Sequence, residues 1–213
     1  MIELHYFPSN ASFAPHLLLE EIGVPFTLRR VDRDRQEHKS PAYLKLNPNG
    51  LIPVLIDGDL VLYETAAVCL HLVDRFPEAG LAPKVGSAER AQFYKWMAWL
   101  TNTLQAALII YFYPERWADD AAAIAQVKAH AEASIGRMLD QLEAQLARHG
   151  GPFLLGTTFS AVDPYALMLS RWTRGFARPA RSLPHLGAYL TRMLDRPAVQ
   201  RVIAQEGLVA PLV

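Results

Sequence analysis

Two hydroxyls and one amide, on Ser9, Asn10 and Ser12, fall within four residues where an apolar run from Ile2 to Phe7 meets Pro8 and a second apolar segment opens at Phe13. If the first run is a strand and the second a helix, unpaired N–H groups and the positive end of the helix dipole converge on this junction. Such a junction stabilises a thiolate. A hydroxyl beside it can donate one further hydrogen bond to the sulfur, so the chemistry is to hold a thiolate rather than to attack anything. Each of the three side chains is equally suited to capping the helix.

A second cluster runs Asn47-Pro48-Asn49-Gly50-Leu51-Ile52-Pro53-Val54-Leu55 and is followed by Tyr63-Glu64-Thr65. Pro53 stands among β-formers where a strand should begin, a position that suits a residue with no N–H to give to a ladder. A cis bond is admissible at Ile52-Pro53, and an Ile52 backbone turned outward can pair with an extended peptide as a short added strand. Asp57-Gly58 supplies a hairpin turn, and Glu64-Thr65 opens the next helix. A bare backbone edge beside a helix N-terminus suits a small peptide that carries a carboxylate.

The elements that must position these groups follow from periodicity. Ile2 to Phe7 and Phe26 to Val31 read as strands, Phe13 to Ile22 as a helix closing at Gly23, Val54–Ile56 with Leu60–Leu62 as a hairpin, and Thr65 to Phe76 as a helix. The β-α-β then β-β-α order implies a mixed sheet with helices on its faces, an α/β domain over 1–77. The Pro- and Gly-rich stretch 78–87 reads as a linker. From 88 to 213 no strand signal survives: 88–112, 120–148, 162–174 and 186–205 read as helices of an all-α bundle. Within it, Ser160-Ala161-Val162-Asp163 fits a capping pattern with a folding role, and Trp96 and Trp99, three apart on one helix, read as core or interface.

The chain has 213 residues, 51% hydrophobic and 20% charged, with Lys plus Arg equal to Asp plus Glu. That balance provides no general field for nucleic acid or an anionic membrane. No apolar run approaches a bilayer span and no signal segment opens the chain. One cysteine, Cys69, permits neither an internal disulfide nor a Cys-x-x-Cys pair; inside an apolar helix it reads as buried and inert. The histidines show no metal-ligand spacing. A cytoplasmic protein without a metal is expected.

The run from Gly50 to Leu55, the hairpin and Glu64-Thr65, preceded by Glu37-His38-Lys39-Ser40-Pro41-Ala42-Tyr43-Leu44-Lys45-Leu46, resembles the glutathione-binding half of the cytosolic glutathione transferases. The resemblance extends over nearly the whole chain. It implies a thioredoxin-like first domain, an all-helical second domain, a homodimer, and glutathione as co-substrate. Carried over by position, Glu64 and Thr65 would hold the γ-glutamyl end, Ile52 with Leu51 and Pro53 the cysteinyl backbone, and Lys39, with His38 second, the glycine carboxylate. Ser9 falls where the serine-type classes keep their catalytic hydroxyl, whereas Ala14-Pro15-His16 and Glu206-Gly207-Leu208 are similar to the bacterial beta class. In the beta-class alignment the cysteine falls on Ala11 and its neighbouring serine on Ser12, so Ser12, Ser9 and Asn10 all remain candidates for the thiolate donor. Two beta-class polar positions fall on Ala98 and Gln105. An electrophile pocket between the domains would draw on Tyr111, Phe112, Tyr113, Trp117 and Trp172. The activity implied is conjugation of the glutathione thiolate to apolar electrophiles; a glutathione-dependent disulfide reductase or peroxidase, and a non-catalytic glutathione- or ligand-binding module, stand as alternatives.

Overall fold

The computed structural model describes all 213 residues. The chain divides into two compact units, Met1–Ala82 with Leu194–Val209, and Pro83–Met193 with Ala210–Val213. In the first unit four strands, β1 (Ile2–Tyr6), β2 (Phe26–Arg30), β3 (Val54–Asp57) and β4 (Leu60–Tyr63), lie in the order β2-β1-β3-β4. β1 runs parallel to β2 and antiparallel to β3, with Leu4 opposite both Leu28 and Leu55. A parallel neighbour needs a crossover, and α1 (Phe13–Ile22) supplies it, ending at Gly23 with φ 78°. Leu17, Leu18 and Leu19 of α1 are fully buried, as are Leu4, Val54 and Leu55 of the sheet. Each such side chain contributes about 1.5–3 kcal/mol when removed from water. A one-turn helix, α2 (Pro41–Leu44), which periodicity did not reveal, is capped by Ser40, whose hydroxyl accepts from the Tyr43 N–H. α3 (Thr65–Arg75) follows the hairpin.

The second unit is all helix: α4 (Ala88–Trp99), α5 (Ala106–Phe112), α6 (Ala121–His149), α7 (Val162–Trp172) and α8 (Pro184–Leu194, whose last residue falls in the first unit). The segment read as one helix over 88–112 contains a π-helical turn, Leu100–Gln105, between α4 and α5. Gln105 sits at its end, where the Tyr165 hydroxyl donates to its side-chain oxygen. Trp96 is buried and meets Trp99 edge-on at 5.2 Å, within the helical unit. Asp163 is fully buried at the start of α7 and accepts from the Leu154 N–H (2.9 Å), the Ser160 N–H (2.9 Å) and the Tyr189 hydroxyl (3.1 Å). This is one half of the cap that Ser160-Ala161-Val162-Asp163 foreshadows: Asp163 reaches back to the Ser160 N–H, but the Asp163 N–H donates to the Ser160 carbonyl and not to its hydroxyl. With no cation against it, burial pushes the Asp163 carboxyl up to about 6 despite those donors.

The segment read as one helix over 186–205 breaks at Asp195-Arg196 into α8 and α9 (Pro197–Glu206), and α9 belongs to the first unit, not to the helical half. Its charges explain the change. Arg196 forms a two-pronged bridge to Glu21 (2.7 and 2.9 Å), and Arg201 Nε donates to Glu20 at 2.5 Å. The side chains of His16 and Glu206 are fully buried against each other, 2.9 Å apart. A carboxylate in the dry interior is stable only with such partners, so α9 must dock on α1.

Candidate active site

The strand–helix junction is built by hydrogen bonds that leave one hydroxyl over. Ser12 is fully buried; its hydroxyl donates to the Phe7 carbonyl (3.1 Å) and accepts from the Phe7 N–H (3.3 Å). It clasps the end of β1 to the start of α1 and makes no side-chain cap on the helix. Asn10 turns its side-chain oxygen back to the Ala11 N–H at 2.7 Å. Ser9 differs from both. Its backbone lies in the left-handed region at φ 59°, its N–H donates to Glu206 at 2.8 Å, and its buried Oγ finds no partner within the chain.

Ser9, Gln36 and Glu64 are the non-glycine residues with positive φ. Backbone strain of this kind costs about 1–3 kcal/mol per residue and gathers at functional sites. Two of the three are candidate ligand contacts, and Gln36 opens the turn that carries His38 and Lys39. Glu64, at φ 74°, precedes α3 with an exposed carboxylate that makes no cap. The first-turn N–H groups of α3 therefore keep their capacity for an anion, and the carboxylate its capacity for an ammonium. The Thr65 hydroxyl donates to the Ala11 carbonyl at 3.3 Å, which ties the start of α3 to the Ser9–Ser12 junction.

The Ile52-Pro53 bond is cis. Leu51 is half exposed, and its carbonyl accepts from the Tyr43 hydroxyl (2.9 Å) and the Asn47 amide (2.8 Å). Ile52 packs with Val31, Tyr43 and Val54, and Phe7 lies against that cluster. No hydrogen bond within the chain engages the Ile52 N–H or C=O. Gly50 at φ 58° carries the turn; a Cβ there would come within 2.8 Å of the His38 carbonyl and of Lys39 Nζ, so a side chain cannot be added without displacing them. Lys39 reaches across this turn to the Asn49 carbonyl at 3.1 Å. His38 has a buried, unpartnered Nδ1, and desolvation, followed by the Arg33 and Lys39 charges, holds its ring below the usual imidazole range.

In the helical unit, Phe112 meets Trp172 edge-on at 6.3 Å, and Tyr111 meets Phe112 edge-on at 5.2 Å. Tyr111 also stacks on Phe176 at 4.2 Å. Tyr113 lies under the Arg116 guanidinium at 4.2 Å, and Trp117 is 51% exposed, apart from the Tyr111–Phe112–Trp172 group. Ala98 is exposed on α4, whereas Gln105 is engaged by Tyr165. Among the candidates, Tyr111, Phe112 and Trp172 thus form one aromatic surface.

The glutathione S-transferase N-terminal domain model matches residues 1–74, and the corresponding C-terminal domain model matches residues 105–206. The chain belongs to the glutathione S-transferase family. It is 28% identical to glutathione S-transferase GstA of Escherichia coli O157:H7, across 97% of this chain and all of that one. It is 31% identical to glutathione S-transferase 3 of Zea mays, across 91% of this chain and 89% of that one. A solved glutathione transferase homolog from Sulfitobacter with bound glutathione superposes with a TM-score of 0.89 at 29% identity, covering 98% of this chain and 99% of that one.

The transferase carries no thiol of its own at the junction. Its single cysteine, Cys69, is fully buried in α3, where desolvation raises the thiol far above its ordinary range. Nor does any cluster of His, Cys, Asp and Glu offer a metal site, and no helix is long and apolar enough to cross a membrane. Three groups at the site escaped sequence reasoning: Tyr43 and Asn47, which fix the Leu51 carbonyl, and Glu206, which holds the Ser9 N–H. Asn47-Pro48-Asn49-Gly50 is a turn signature that could have marked Asn47. Phe176 reaches Tyr111 from the turn after α7, where helical spacing does not apply. Glu206 is marked only within the Glu206-Gly207-Leu208 resemblance, with no role attached to it.

Proposed function

We propose that this transferase binds glutathione along Lys39, Ile52, Glu64 and Thr65, and that Ser9 is the hydroxyl that donates to its thiolate. The observation that carries the assignment is the difference between the two serines. Ser9 has a buried Oγ without a partner and Ser12 has spent its hydroxyl on Phe7. Asn10, with its oxygen turned to the Ala11 N–H, remains second. Lys39, with His38 beside it, takes the glycine carboxylate, Leu51 and Pro53 frame the Ile52 backbone, Glu64 takes the ammonium, and Thr65 with the first turn of α3 takes the γ-glutamyl carboxylate.

Ionisation alone accounts for little of the rate. Lowering a thiol pKa from about 8.5 to about 6.5 raises the thiolate fraction at pH 7 from about 3% to about 76%, roughly 25-fold. With a Brønsted slope of about 0.45, intrinsic nucleophilicity falls roughly 8-fold, so the net gain is about threefold. Holding the electrophile against the sulfur must supply the rest. The Tyr111–Phe112–Trp172 surface, with the exposed Trp117 and Tyr113, suits a flat apolar electrophile. The product is then a thioether formed by addition or displacement. The enzyme acts as a homodimer in the cytoplasm, which sedimentation at micromolar concentration would test.

The deciding experiment is titration with glutathione, followed by thiolate absorbance in the ultraviolet across pH. The bound thiol is expected to ionise well below its free value. Ser9→Ala should return the pKa toward that of free glutathione and lower kcat/KM by about 10–100-fold, in keeping with the loss of one charge-assisted donor. Ser12→Ala should leave the pKa shift in place. The reverse pattern would reassign the donor, and binding without a shift would reduce the protein to a carrier.

A further inference from the structure

Five cations and three carboxylates fall between Arg29 and Lys39, the stretch that leaves β2 and leads to α2. Two of the cations are matched by carboxylates: Arg29 donates to Glu3 at 2.8 Å, and Arg35 lies 3.6 Å from Asp32. Two of the carboxylates are also committed to the turn itself. Asp32 accepts the Asp34 and Arg35 N–H groups, and Glu37 accepts the Asp32 N–H at 2.6 Å. Arg30, Arg33 and Lys39 are held in another way.

Both arginines stand over one ring. The Arg30 and Arg33 guanidinium carbons lie 5.7 and 5.8 Å from the centroid of Phe7, where the ring face attracts each cation. Phe7 packs in turn against the Val31–Tyr43–Ile52–Val54 cluster, so the two cations are anchored beside the cluster that carries Ile52. The Arg33 and Lys39 charges both act on His38, and with desolvation they hold its ring below the usual imidazole range. At neutral pH that ring separates the cations without adding to them. Lys39 itself sits at the Gly50 turn, on the Asn49 carbonyl. Lys39, Arg33 and Arg30 thus form an ordered row, every member of it in the first unit. The row starts where the glycine carboxylate is placed and continues beyond it. Glutathione, with a single carboxylate at that end, engages only the first cation of the three.

We infer that the co-substrate site continues past Lys39 into a cationic rim made by Arg33 and Arg30 over Phe7, and that it takes thiol tripeptides whose third residue carries a second carboxylate. The inference rests on the glutathione reading above. The α-carboxylate of such a peptide keeps its place at Lys39, and its side-chain carboxylate meets the two guanidinium groups. An amide in the same position keeps the shape and loses the charge.

Isothermal titration with three thiol peptides tests the inference: glutathione, γ-glutamyl-cysteinyl-glutamate, and γ-glutamyl-cysteinyl-glutamine as the isosteric uncharged control. At about 0.01 M ionic strength, where charges are screened only beyond about 30 Å, the glutamate peptide should bind about fivefold more tightly than the glutamine peptide. That factor is the upper range for exposed ion pairs. At about 1 M salt the screening length falls to about 3 Å, and the two affinities should converge. Arg30→Gln combined with Arg33→Gln should remove the preference and leave glutathione affinity within about twofold. Lys39→Met should weaken all three peptides alike. Equal affinity for the glutamate and glutamine peptides at low salt would overturn the inference. So would a preference that survives high salt or the double substitution. The salt series uses the native chain, so it decides the matter even should the double variant fold poorly. Glutathione binding without the preference overturns this inference alone, whereas failure of all three peptides to bind overturns the glutathione reading as well.

Discussion

Asp163 in the helical unit and Glu206 in the sheet unit are both buried carboxylates that accept a backbone N–H, yet their surroundings send them to different tasks. Asp163 takes two backbone donors and a tyrosine hydroxyl from three segments of its own unit. Every partner is structural, and the knot closes on itself. Glu206 divides its two oxygens between His16 and the N–H of Ser9. One oxygen anchors α9 to α1, and the other fixes the strained residue whose hydroxyl is spare. The same device therefore finishes a core in one place and in the other holds the backbone of the residue we propose as the thiolate donor. The difference lies in whether the last hydrogen bond goes to an element or to a loop.

The comparison fails if removing the two carboxylates has the same consequence. Asp163→Ala should cost about 3–5 kcal/mol, since it strands the buried N–H groups of Leu154 and Ser160 and leaves the Tyr189 hydroxyl only the residue 163 carbonyl; a urea midpoint would measure the loss. Any folded fraction should bind glutathione with near-normal affinity. A loss of less than about 1 kcal/mol, the value of one ordinary hydrogen bond, would remove Asp163 as the keystone of its unit.

The pH dependence is the next largest effect. The Asp163 carboxyl is raised from 3.8 to about 6, so the folded state holds its proton more tightly than the unfolded state does. Its contribution is complete below about pH 4 and is lost as pH rises through about 6, by up to about 3 kcal/mol at 1.36 kcal/mol per unit. Other carboxylates run the opposite way: Glu3, held down by the Arg29 hydrogen bond, favours the folded state at higher pH. The clean measurement is thus the stability difference between the native protein and Asp163→Asn from pH 4 to 8. It should move against the native protein as pH rises, and a flat difference would contradict the uncompensated burial.

Glu206→Gln should cost about 1–3 kcal/mol, because an amide supplies one good acceptor where two donors wait. Its larger signature should be functional, with a several-fold rise in the KM for glutathione as the Ser9 backbone loses its anchor. Unchanged KM with lowered stability would make Glu206 a second Asp163 and dissolve the contrast. Ser12→Ala should have the smallest effect, about 1–2 kcal/mol for the clasp on Phe7, with the bound-thiol pKa unmoved.

The features legible in the sequence share one property, that their partners lie close along the chain. Gly50 is required by its own turn, Glu64-Thr65 by the helix it opens, and Asp163 by a cap four residues long. Periodicity likewise returned the four strands and the main helices. What escaped depends on distant partners. His16 and Glu206 are 190 residues apart, and Ser9 and Glu206 are 197 apart. Nothing in the apolar pattern of 186–205 says which core its second half joins; the ion pairs from Arg196 and Arg201 to Glu21 and Glu20 settle that, and charges carry no period. The choice between Ser9 and Ser12 was closed to sequence for a related reason, since both precede the same helix and only the position of Phe7 decides which hydroxyl is consumed.

The docking of α9 on α1 also has a consequence for how the protein is made. A ribosome delivers Ser9 early and Glu206 almost two hundred residues later, so the strands and α1 can emerge and pair while the loop between them still lacks its tether. A chain released before residue 206 lacks the end of α9, so buried His16 loses its carboxylate and the Ser9 N–H its anchor. The tethered Ser9 loop becomes, in effect, a report that translation has reached the far end of α9.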